Sequence, residues 1–449
     1  MALAVSRSFA IIKVHSLRWR RRLIFVGGGL IVGLLAVGLA QASDVVQAIF
    51  QTCLARWPYM PLVVTPLGFA LTVLAVRVFP NTQGSGIPQA IAARKLESQE
   101  ARARLVGLRV GIGKVLLTLF GLLVGASTGR EGPTVQVGAS VMFLIGRITP
   151  RRQPGLILAG AAAGVAAAFN APLAGIVFAI EEMSRSFEVR ASGLIIAAVI
   201  LAGLVAQALV GDYTYFGFTT AALPIGTAWM AVPICGVIGG FSGALFSRIL
   251  VAVPDILPRR DLIRRYPVAF AALCGLGVAL CGLLGGGQIF GTGYQSARAV
   301  LHHTGTVPLD YAPLKLLATA LSSVAGVPGG IFSPSLAVGA GIGADVARFF
   351  HHAAPGPIVL LGMVAYFTGV VRAPITAFVI VSEMSGDHGM LVALMAAALI
   401  ADFCARTVNR EGVYHMLAGR FLLPPPTDPS VPEGLPESAS HERLDPSDM

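Results

Sequence analysis

One acidic residue introduces a long apolar segment of this chain. Residues Gly129–Pro133 read GREGP, and Glu131 precedes a membrane-length apolar run that starts at Thr134. An ionised carboxylate at bilayer depth is costly, so a glutamate kept there marks an ion or proton pathway. Pro133 suits the first helical position, and the N–H groups of that first turn carry partial positive charge. The motif predicts an anion site in which Glu131 is a tethered competitor, and therefore a gate.

Two other loops share this composition. Gly84–Pro88 reads GSGIP and adds the hydroxyl donor of Ser85, whereas Gly330–Pro334 reads GIFSP and offers backbone N–H groups beside an apolar ring. Amides, one hydroxyl and partial dipole charge can bind a halide-sized anion without holding it too tightly. A full Lys or Arg charge in a dry site would slow its release. The alternative is that these loops are packing glycines and helix caps, which are common in membrane bundles.

The chain also repeats itself. Two ordered blocks match at offsets of 201 and 202 residues. The matching segments are Gly129–Pro133 with Gly330–Pro334, Asn170–Leu173 with Arg372–Ile375, and Glu181 with Glu383. The blocks predict two halves, about 23–215 and 225–423, each with a broken helix at an equivalent position. This is the plan of inverted-repeat transporters, whose substrates bind at the repeat interface. Parallel halves are the alternative, because sequence alone does not show inversion.

Composition sets the fold class. The chain has 449 residues, of which 55% are hydrophobic and 12% charged, and its mean hydropathy is +0.77. These values predict an all-α polytopic membrane protein. We expect a cytoplasmic segment at 1–22, one membrane domain at 23–423, and a disordered cytoplasmic tail at 424–449 that is rich in Pro, Ser and acidic residues. No large cytosolic regulatory domain is expected after the membrane part. The 53 glycines and 28 prolines fit helices that pack closely, break and re-enter.

The net charge of +11 does not indicate nucleic-acid binding. Arginines fall in short loops, as the positive-inside rule requires of cytoplasmic anchors. We therefore expect a multi-pass protein of the cell (inner) membrane with both termini in the cytoplasm. The N-terminus imitates a secretory signal, with apolar residues Leu23–Leu39 before Ala40–Ala42. That apolar run is longer than a usual signal core, which favours a retained first membrane helix. The five scattered cysteines indicate core packing and no disulfide framework.

The three glycine–proline loops resemble the signature motifs of the CLC family of chloride channels and chloride/proton antiporters. Residues Ala166–Gly175, Glu181–Met183 and Arg372–Met384 are similar to that family too. The resemblance covers nearly the whole chain except the extreme termini, and it is to bacterial members without C-terminal CBS domains. It implies a homodimer in the lipid bilayer with a separate pore in each subunit. Each subunit would contain two inverted halves of many tilted helices.

The resemblance also implies a central chloride site. Its ligands would be the Ser85 hydroxyl, the backbone N–H groups of Ile331 and Phe332, and the hydroxyl of Tyr414. Tyr414 matches through a looser string, EGVYHMLA. Serine at position 85, where nitrate-selective relatives carry proline, indicates chloride.

Two flanking anion sites follow from the same resemblance. The backbone of Gly84 and Ser85 would line an inner site. The backbone of Arg130, Glu131 and Gly132 would line an outer site once the Glu131 side chain swings away. No cofactor and no metal are implied.

The acid pair Glu181–Glu182 bears on mechanism. Channels and exchangers of the CLC family both carry the gating glutamate, whereas a glutamate at the position of Glu182 is typical of antiporters, as the inner proton acceptor. The alternative is an interfacial acid pair that snorkels or bridges to Arg185. Ionised Glu131 occupies an anion position, and its protonated form yields to chloride. If protons reach Glu131 by way of Glu182, chloride and protons exchange. We therefore expect an antiporter, with a chloride channel of the same fold as the alternative.

Other functions fit less well. Gly125–Gly129 matches the G-x-S-x-G pattern of serine hydrolases, including intramembrane proteases, but that chemistry needs a base beside the serine. The histidines at loops and helix ends are poor candidates, and adjacent histidines on a helix diverge and do not chelate a metal. These histidines are His302, His303, His351, His352 and His388. A receptor or purely structural protein would not need acids at broken helices. Arg372 and Glu383 are expected to serve structural pairing.

Overall fold

The computed structural model describes residues 2–147, 153–184, 193–211, 214–218, 223, 226–256, 265–302, 304–350, 353–387 and 389–422. Their regular structure is helical, apart from one isolated bridge between two loops. The tail predicted at 424–449 lies outside the described residues. The same holds for four of the histidines considered above and for the arginine considered as a partner of Glu182. These are His303, His351, His352, His388 and Arg185.

The α-helices of the described residues fall into two sets of nine. The first set is α1 (Ala2–Arg56), α2 (Pro61–Val78), α3 (Ile87–Lys95), α4 (Gln99–Val106), α5 (Leu108–Leu123), α6 (Glu131–Gly146), α7 (Gln153–Phe169), α8 (Pro172–Phe178, continued by a π-helical turn over Ala179–Ser184) and α9 (Gly193–Val210). The second set is α10 (Ala231–Ile256), α11 (Pro267–Leu284), α12 (Tyr294–Leu301), α13 (Tyr311–Val324), α14 (Phe332–Ala347), α15 (Pro355–Val371), α16 (Pro374–Ser385), α17 (Leu391–Val408) and α18 (Val413–Arg420).

Within the ranges that the structure describes, six helical stretches are long and apolar enough to cross a membrane. They are Phe25–Arg56, Pro61–Val78, Gln99–Leu123, Thr227–Ile256, Pro267–Leu284 and Leu391–Val408. The helices between them are shorter, and α7 and α15 are almost entirely buried. A buried short helix can leave backbone unpaired at membrane depth only because protein surrounds it. Helices α7 and α15 therefore belong to the interior of the bundle.

The predicted repeat corresponds to equivalent helices. Helices α6 and α14 begin 201 residues apart, at 131 and 332, while α7 and α15 begin 202 apart, at 153 and 355. Within each half the two helices cross on glycine, α6 against α7 in the first half and α14 against α15 in the second. A Cβ atom added to Gly138 would collide with the backbone of Gly160, and one added to Gly339 would lie 2.6 Å from the carbonyl oxygen of Gly362. Glycine lets the backbones touch, as small residues do at membrane helix crossings.

Two glutamates show how the halves are oriented. Near the end of the α8 turn, the Glu181 carboxylate accepts hydrogen bonds from the first-turn amides of α16 at 3.1 and 2.6 Å. Near the end of α16, the Glu383 carboxylate accepts bonds from the first-turn amides of α8 at 3.1 and 2.8 Å. Each carboxylate caps the helix that carries the other. The two helices are thus antiparallel, and the halves are inverted.

Arg372 and its counterpart Asn170 end equivalent helices. Both adopt left-handed backbone conformations, with φ of 63° and 52°, the usual way for a helix to stop. The Arg372 guanidinium then pairs with Asp402 at 2.6 Å and donates to the carbonyl oxygen of Asn409 at 2.7 Å. The pairing expected of Arg372 is present, with Asp402 on α17 as its partner.

One predicted helix boundary is wrong. Helix α6 begins at Glu131, so Pro133 is its third residue and not its first. All first-turn N–H groups lack intrahelical partners, so proline is tolerated throughout that turn and does not mark its start. The apolar run Leu23–Leu39, expected to be a retained first membrane helix, is part of α1, which continues without a break to Arg56. The polar residues beyond position 40 include Ser43, whose hydroxyl is satisfied by the Leu39 carbonyl oxygen at 2.6 Å.

Candidate ion pathway

The three glycine–proline loops meet in one cluster. The N–H of Gly129 donates to the carbonyl oxygen of Gly330 at 2.6 Å, and the N–H of Gly330 donates back to Gly129 at 2.6 Å. This reciprocal pair is the isolated bridge noted above. Beside it, the N–H of Gly329 donates to the carbonyl oxygen of Gly84 at 3.0 Å. Two of these loops are repeat counterparts, so their pairing joins the two halves at the centre of the molecule.

Helix starts surround this cluster. Helices α3, α6 and α14 begin within or just after the loops, at Ile87, Glu131 and Phe332. Their first-turn N–H groups have no acceptor inside the helix and carry partial positive charge. A Cβ atom on Gly132 would lie 2.6 Å from the Ser85 carbonyl oxygen and 3.1 Å from the Cα of Gly330. Glycine at 132 therefore allows the loops to approach closely enough for their amides to face one small ion.

Two buried hydroxyls face each other in this region. Ser85 is 7% exposed and Tyr414, on α18, is fully buried. Among the residues that the structure describes, neither hydroxyl has a hydrogen-bond partner of standard geometry. Tyr414 lies close enough to Ser85 for the two hydroxyls to interact. A buried hydroxyl without a partner is destabilising unless a ligand or water completes it, so these two oxygens fit an anion.

The Glu131 carboxylate lies beside this pair of hydroxyls. The residue is 1% exposed, and its Oε1 accepts hydrogen bonds from the Ser333 hydroxyl at 2.5 Å and the Tyr215 hydroxyl at 3.4 Å. The carboxylate is not bonded to Ser85 or Tyr414, whose hydroxyls have no such partner among the described residues. Glu131 is therefore at the edge of the hydroxyl site and not within it.

Arg130 directs its charge away from the loop cluster. Its Nη1 donates to the Ala40 carbonyl oxygen at 2.5 Å and pairs with Asp44 at 2.7 Å, both on α1. The guanidinium also lies 6.0 Å from the ring centroid of Tyr215. Only the backbone of Arg130 is thus left to line an anion site, which is the role expected of it.

The acid pair divides into two environments. Glu181 is occupied by capping α16, whereas Glu182 is only 2% exposed. The Nε2 of His415, on α18, donates to the Glu182 carbonyl oxygen at 2.7 Å and lies 3.6 Å from its Oε1. Because a carbonyl can only accept, Nε2 carries the ring proton in this arrangement. Glu182 is therefore buried beside His415, the residue that directly follows Tyr414 in the chain.

Lysines support the glycine loops. Lys114, fully buried on α5, donates to the carbonyl oxygens of Thr82, at 2.8 Å, and Gly84. Lys315, fully buried on α13, donates to the carbonyl oxygens of Ile289 and Gly291, each at 2.7 Å. The two lysines are 201 residues apart. Lys315 thus reveals a second-half counterpart of the GSGIP loop, which the sequence comparison missed.

That counterpart loop is closed by the protein itself. Gly291 and Gly293 both have positive φ, of 69° and 77°, like the glycines of the GSGIP loop. Between them, Thr292 donates from its N–H at 2.9 Å and its hydroxyl at 3.2 Å to the side-chain oxygen of Gln47. A glutamine oxygen occupies the place that an anion would take, so this loop is not a further anion site.

The enzyme alternative finds no support in the surroundings of Ser127. Its hydroxyl pairs with the Thr319 hydroxyl at 2.9 Å and not with a basic side chain, and its backbone N–H donates to the Ser322 hydroxyl at 3.1 Å. His302 contacts the carbonyl oxygen of Phe216. No cluster of three His, Cys, Asp or Glu side chains able to hold a metal occurs in the part of the chain that was described. All five cysteines are free, as expected from their spacing.

The fold and the site together define a class. This is a polytopic α-helical membrane protein of two inverted halves, in which three helix starts lie close to the buried hydroxyls of Ser85 and Tyr414 and to the buried carboxylates of Glu131 and Glu182. The family model described as "Voltage gated chloride channel" matches residues 67–406. The chain belongs to that family, as its motifs predict.

Curated relatives extend the match along the chain. The H(+)/Cl(-) exchange transporter ClcA of Yersinia pestis is 32% identical over 426 residues, covering 88% of this chain and 86% of that protein. The H(+)/Cl(-) exchange transporter ClcA of Citrobacter koseri is 31% identical over 422 residues, with 88% and 87% covered.

Solved structures agree on the fold. A slow cyanobacterial Cl⁻/H⁺ antiporter superposes with a TM-score of 0.77 at 27% identity, covering 89% of this chain and 97% of that one. A eukaryotic CLC transporter superposes with a TM-score of 0.71 at 22% identity, covering 90% and 74%. The all-α inverted-repeat fold predicted from the motifs is confirmed.

Proposed function

We propose that this protein exchanges chloride for protons across the membrane. The observation that carries the proposal is the pair of buried hydroxyls on Ser85 and Tyr414, flanked by the buried carboxylates of Glu131 and Glu182. The exchange activity named for the ClcA relatives, at about one third identity, supports it.

Chloride would bind centrally between neutral donors. The Ser85 and Tyr414 hydroxyls would donate from one side, and the first-turn amides of Ile331 and Phe332 from the other. Neutral donors give affinity without the strong Coulomb attraction of a bare cation in a dry site. The backbone of Gly84 and Ser85 would line the inner approach.

The Glu131 side chain would act as the gate. Its ionised carboxylate would compete with chloride for the outer amides at Arg130, Glu131 and Gly132, because both are anions that prefer the helix N-terminus. Protonation would remove that negative charge and let chloride take its place. Each chloride passage would then require Glu131 to gain or lose a proton.

Glu182 would deliver that proton from the inner side. It is buried next to His415, the residue that follows Tyr414 in the chain, and this position supports a proton route that reaches the hydroxyl site from the inner side. This supports exchange over the alternative, a chloride channel of the same fold, because a channel has no need for a second buried acid.

Coupled flux in liposomes tests the proposal. A chloride gradient imposed on vesicles containing the purified protein should drive protons uphill, recorded with a pH electrode beside a chloride electrode. Glu182→Gln should lower proton flux by about a hundredfold, the scale of a lost proton-transfer group, while chloride still moves. Glu131→Ala should remove both the gate and the coupling. Glu181→Gln, which keeps an acceptor for the α16 amides, is the matched control and should exchange normally.

The same recordings identify the channel alternative. Chloride flux without any pH change in the unmodified protein would mean a channel. Uphill proton pumping that persists after Glu182→Gln would exclude the inner route through that residue.

The assembly and location are part of the proposal. We infer a homodimer with one pathway per subunit, in the cell (inner) membrane with both termini in the cytoplasm. The large apolar side chains exposed on α17 favour such a partner surface, among them Val392, Leu399 and Phe403, which are 68, 61 and 72% exposed. Chemical cross-linking in detergent should trap a species of twice the monomer mass, and protease accessibility in oriented vesicles should locate the termini.

A further inference from the structure

The hydroxyls of Tyr215 and Ser333 have no role in the mechanism so far. Both donate to the same oxygen of the Glu131 carboxylate, at 3.4 and 2.5 Å, and they lie 3.5 Å from each other. Both residues are buried, at 2 and 3% exposure. Hydrogen bonds from neutral donors to a buried ionised carboxylate are among the stronger ones in proteins. The three side chains form one compact polar group at the edge of the hydroxyl site.

Tyr215 is held firmly although it lies in a connecting segment. It follows α9 in the link between the two halves. Its ring packs edge-on against Phe169 and Tyr294, with centroids 5.6 and 4.6 Å away. The Tyr294 hydroxyl donates to the Tyr215 carbonyl oxygen at 2.7 Å, and the next residue, Phe216, donates its N–H to the Met384 carbonyl oxygen at 2.9 Å. Because aromatic neighbours hold the Tyr215 ring and hydrogen bonds hold its backbone, its hydroxyl has a defined position.

Tyr294 connects this arrangement to the closed glycine loop. It is the first residue of α12 and directly follows Gly293. In the second half, the loop that Lys315 supports therefore does not bind an anion but places Tyr294, which in turn places Tyr215. The Gly291–Gly293 loop is the pseudo-symmetric counterpart of the GSGIP loop. It supports the Glu131 side chain through Tyr294 and Tyr215.

Resting on the exchange function proposed above, we propose that Tyr215 and Ser333 are positioning residues, whose hydroxyls hold the ionised Glu131 side chain in its outer position. We call this pair of hydroxyls the dock. The dock stabilises the competitor and not chloride. It therefore weakens apparent chloride binding and slows each turnover, while leaving the proton route through Glu182 unchanged. Ser333, with the shorter bond, contributes more than Tyr215.

Chloride titration calorimetry on the purified full-length protein tests the dock. Ser333→Ala should lower the apparent Kd for chloride by about tenfold and Tyr215→Phe by about threefold, the range expected for hydrogen bonds to a charged group. Ser335→Ala is the matched control, because its buried hydroxyl is on the same helix but bonds the Ile331 carbonyl oxygen at 2.6 Å. It should leave the Kd unchanged.

A Glu131→Gln background separates docking from a structural role. With no carboxylate to dock, Ser333→Ala and Tyr215→Phe should no longer change the chloride Kd. The dock is refuted if their effects persist in that background, or if they are absent in the unmodified one. If Glu131→Gln alone leaves chloride binding unchanged, the gate itself is refuted, and with it the proposed function. The two failures are therefore distinguishable.

Discussion

Replacing Lys114 by methionine removes a buried charge next to the proposed central site and keeps a side chain of similar length. The Lys114 ammonium contacts the carbonyl oxygen of Gly84, and Ser85 is the next residue. One Cα step and one hydrogen bond place an anion bound to the Ser85 hydroxyl roughly 7–8 Å from that ammonium. At an effective dielectric constant of about 20, unit charges at that separation attract by about 2 kcal/mol. We therefore expect Lys114→Met to raise the chloride Kd by about 30-fold.

Lys315→Met is the control that the repeat supplies. Lys315 is equally buried and also donates two hydrogen bonds to loop carbonyl oxygens, so both variants should lose similar stability, about 1.5–3 kcal/mol for each bond. Its loop is closed by Gln47 and reaches Glu131 only through Tyr294 and Tyr215. The chloride Kd should therefore not rise, and loosening of this loop should lower it by no more than the change of about threefold expected for Tyr215→Phe. Calorimetry measures the Kd, and thermal melting in detergent measures stability.

The comparison of the two lysines has a clear negative outcome. If both variants raise the Kd equally, the effect comes from a loosened fold and not from charge at the site. If Lys114→Met melts like Lys315→Met but binds chloride like the unmodified protein, then the ammonium does not contribute to anion binding and the placement of the site at Ser85 is wrong.

Two stability predictions follow from the packing of the halves. Glu383→Ala leaves two first-turn amides of α8 without their charged acceptor and should lower the free energy of unfolding by about 2–4 kcal/mol, measured as a lower melting temperature. The control Glu97→Ala, at an exposed position, should not change stability. Equal melting of both variants would contradict the capping role. Gly362→Ala pushes a Cβ into the facing helix and should cost about 1–3 kcal/mol. Gly38→Ala is the control, because no atom lies within 4 Å of its added Cβ; it should leave stability unchanged or raise it by up to about 1 kcal/mol. A similar loss of stability in both variants would mean that the crossing of α14 and α15 is not the cause.

The loops of the proposed site could be predicted from the sequence because their residue types are rare in apolar, membrane-spanning segments. Glycine, proline and a carboxylate in apolar segments at membrane depth are costly unless they have a function. That reasoning identified Ser85, Glu131 and the Gly330–Pro334 loop, and the structure brings these residues together. The reciprocal pairing of Gly129 with Gly330 is the spatial form of the 201-residue offset.

Other contacts depend on tertiary structure that the sequence does not display. Tyr215 stands in a loop without a motif, and nothing local indicates that its hydroxyl reaches Glu131. Ser333 was visible within its motif but had no assigned partner. The lysine pair did leave a signal, because Lys114 and Lys315 are separated by the repeat offset. The counterpart loop at Gly291 was hidden by extra residues that shift it to an offset of 207.

The two hydrogen bonds between Gly129 and Gly330 restrict how this molecule can move. They join one half to the other between two of the glycine–proline loops, and the crossed glutamate caps join the halves again at α8 and α16. A clamshell motion that opened the halves alternately to each face would have to break this seam. Access must instead be switched by something that fits within it, and a single swinging carboxylate is small enough to do so.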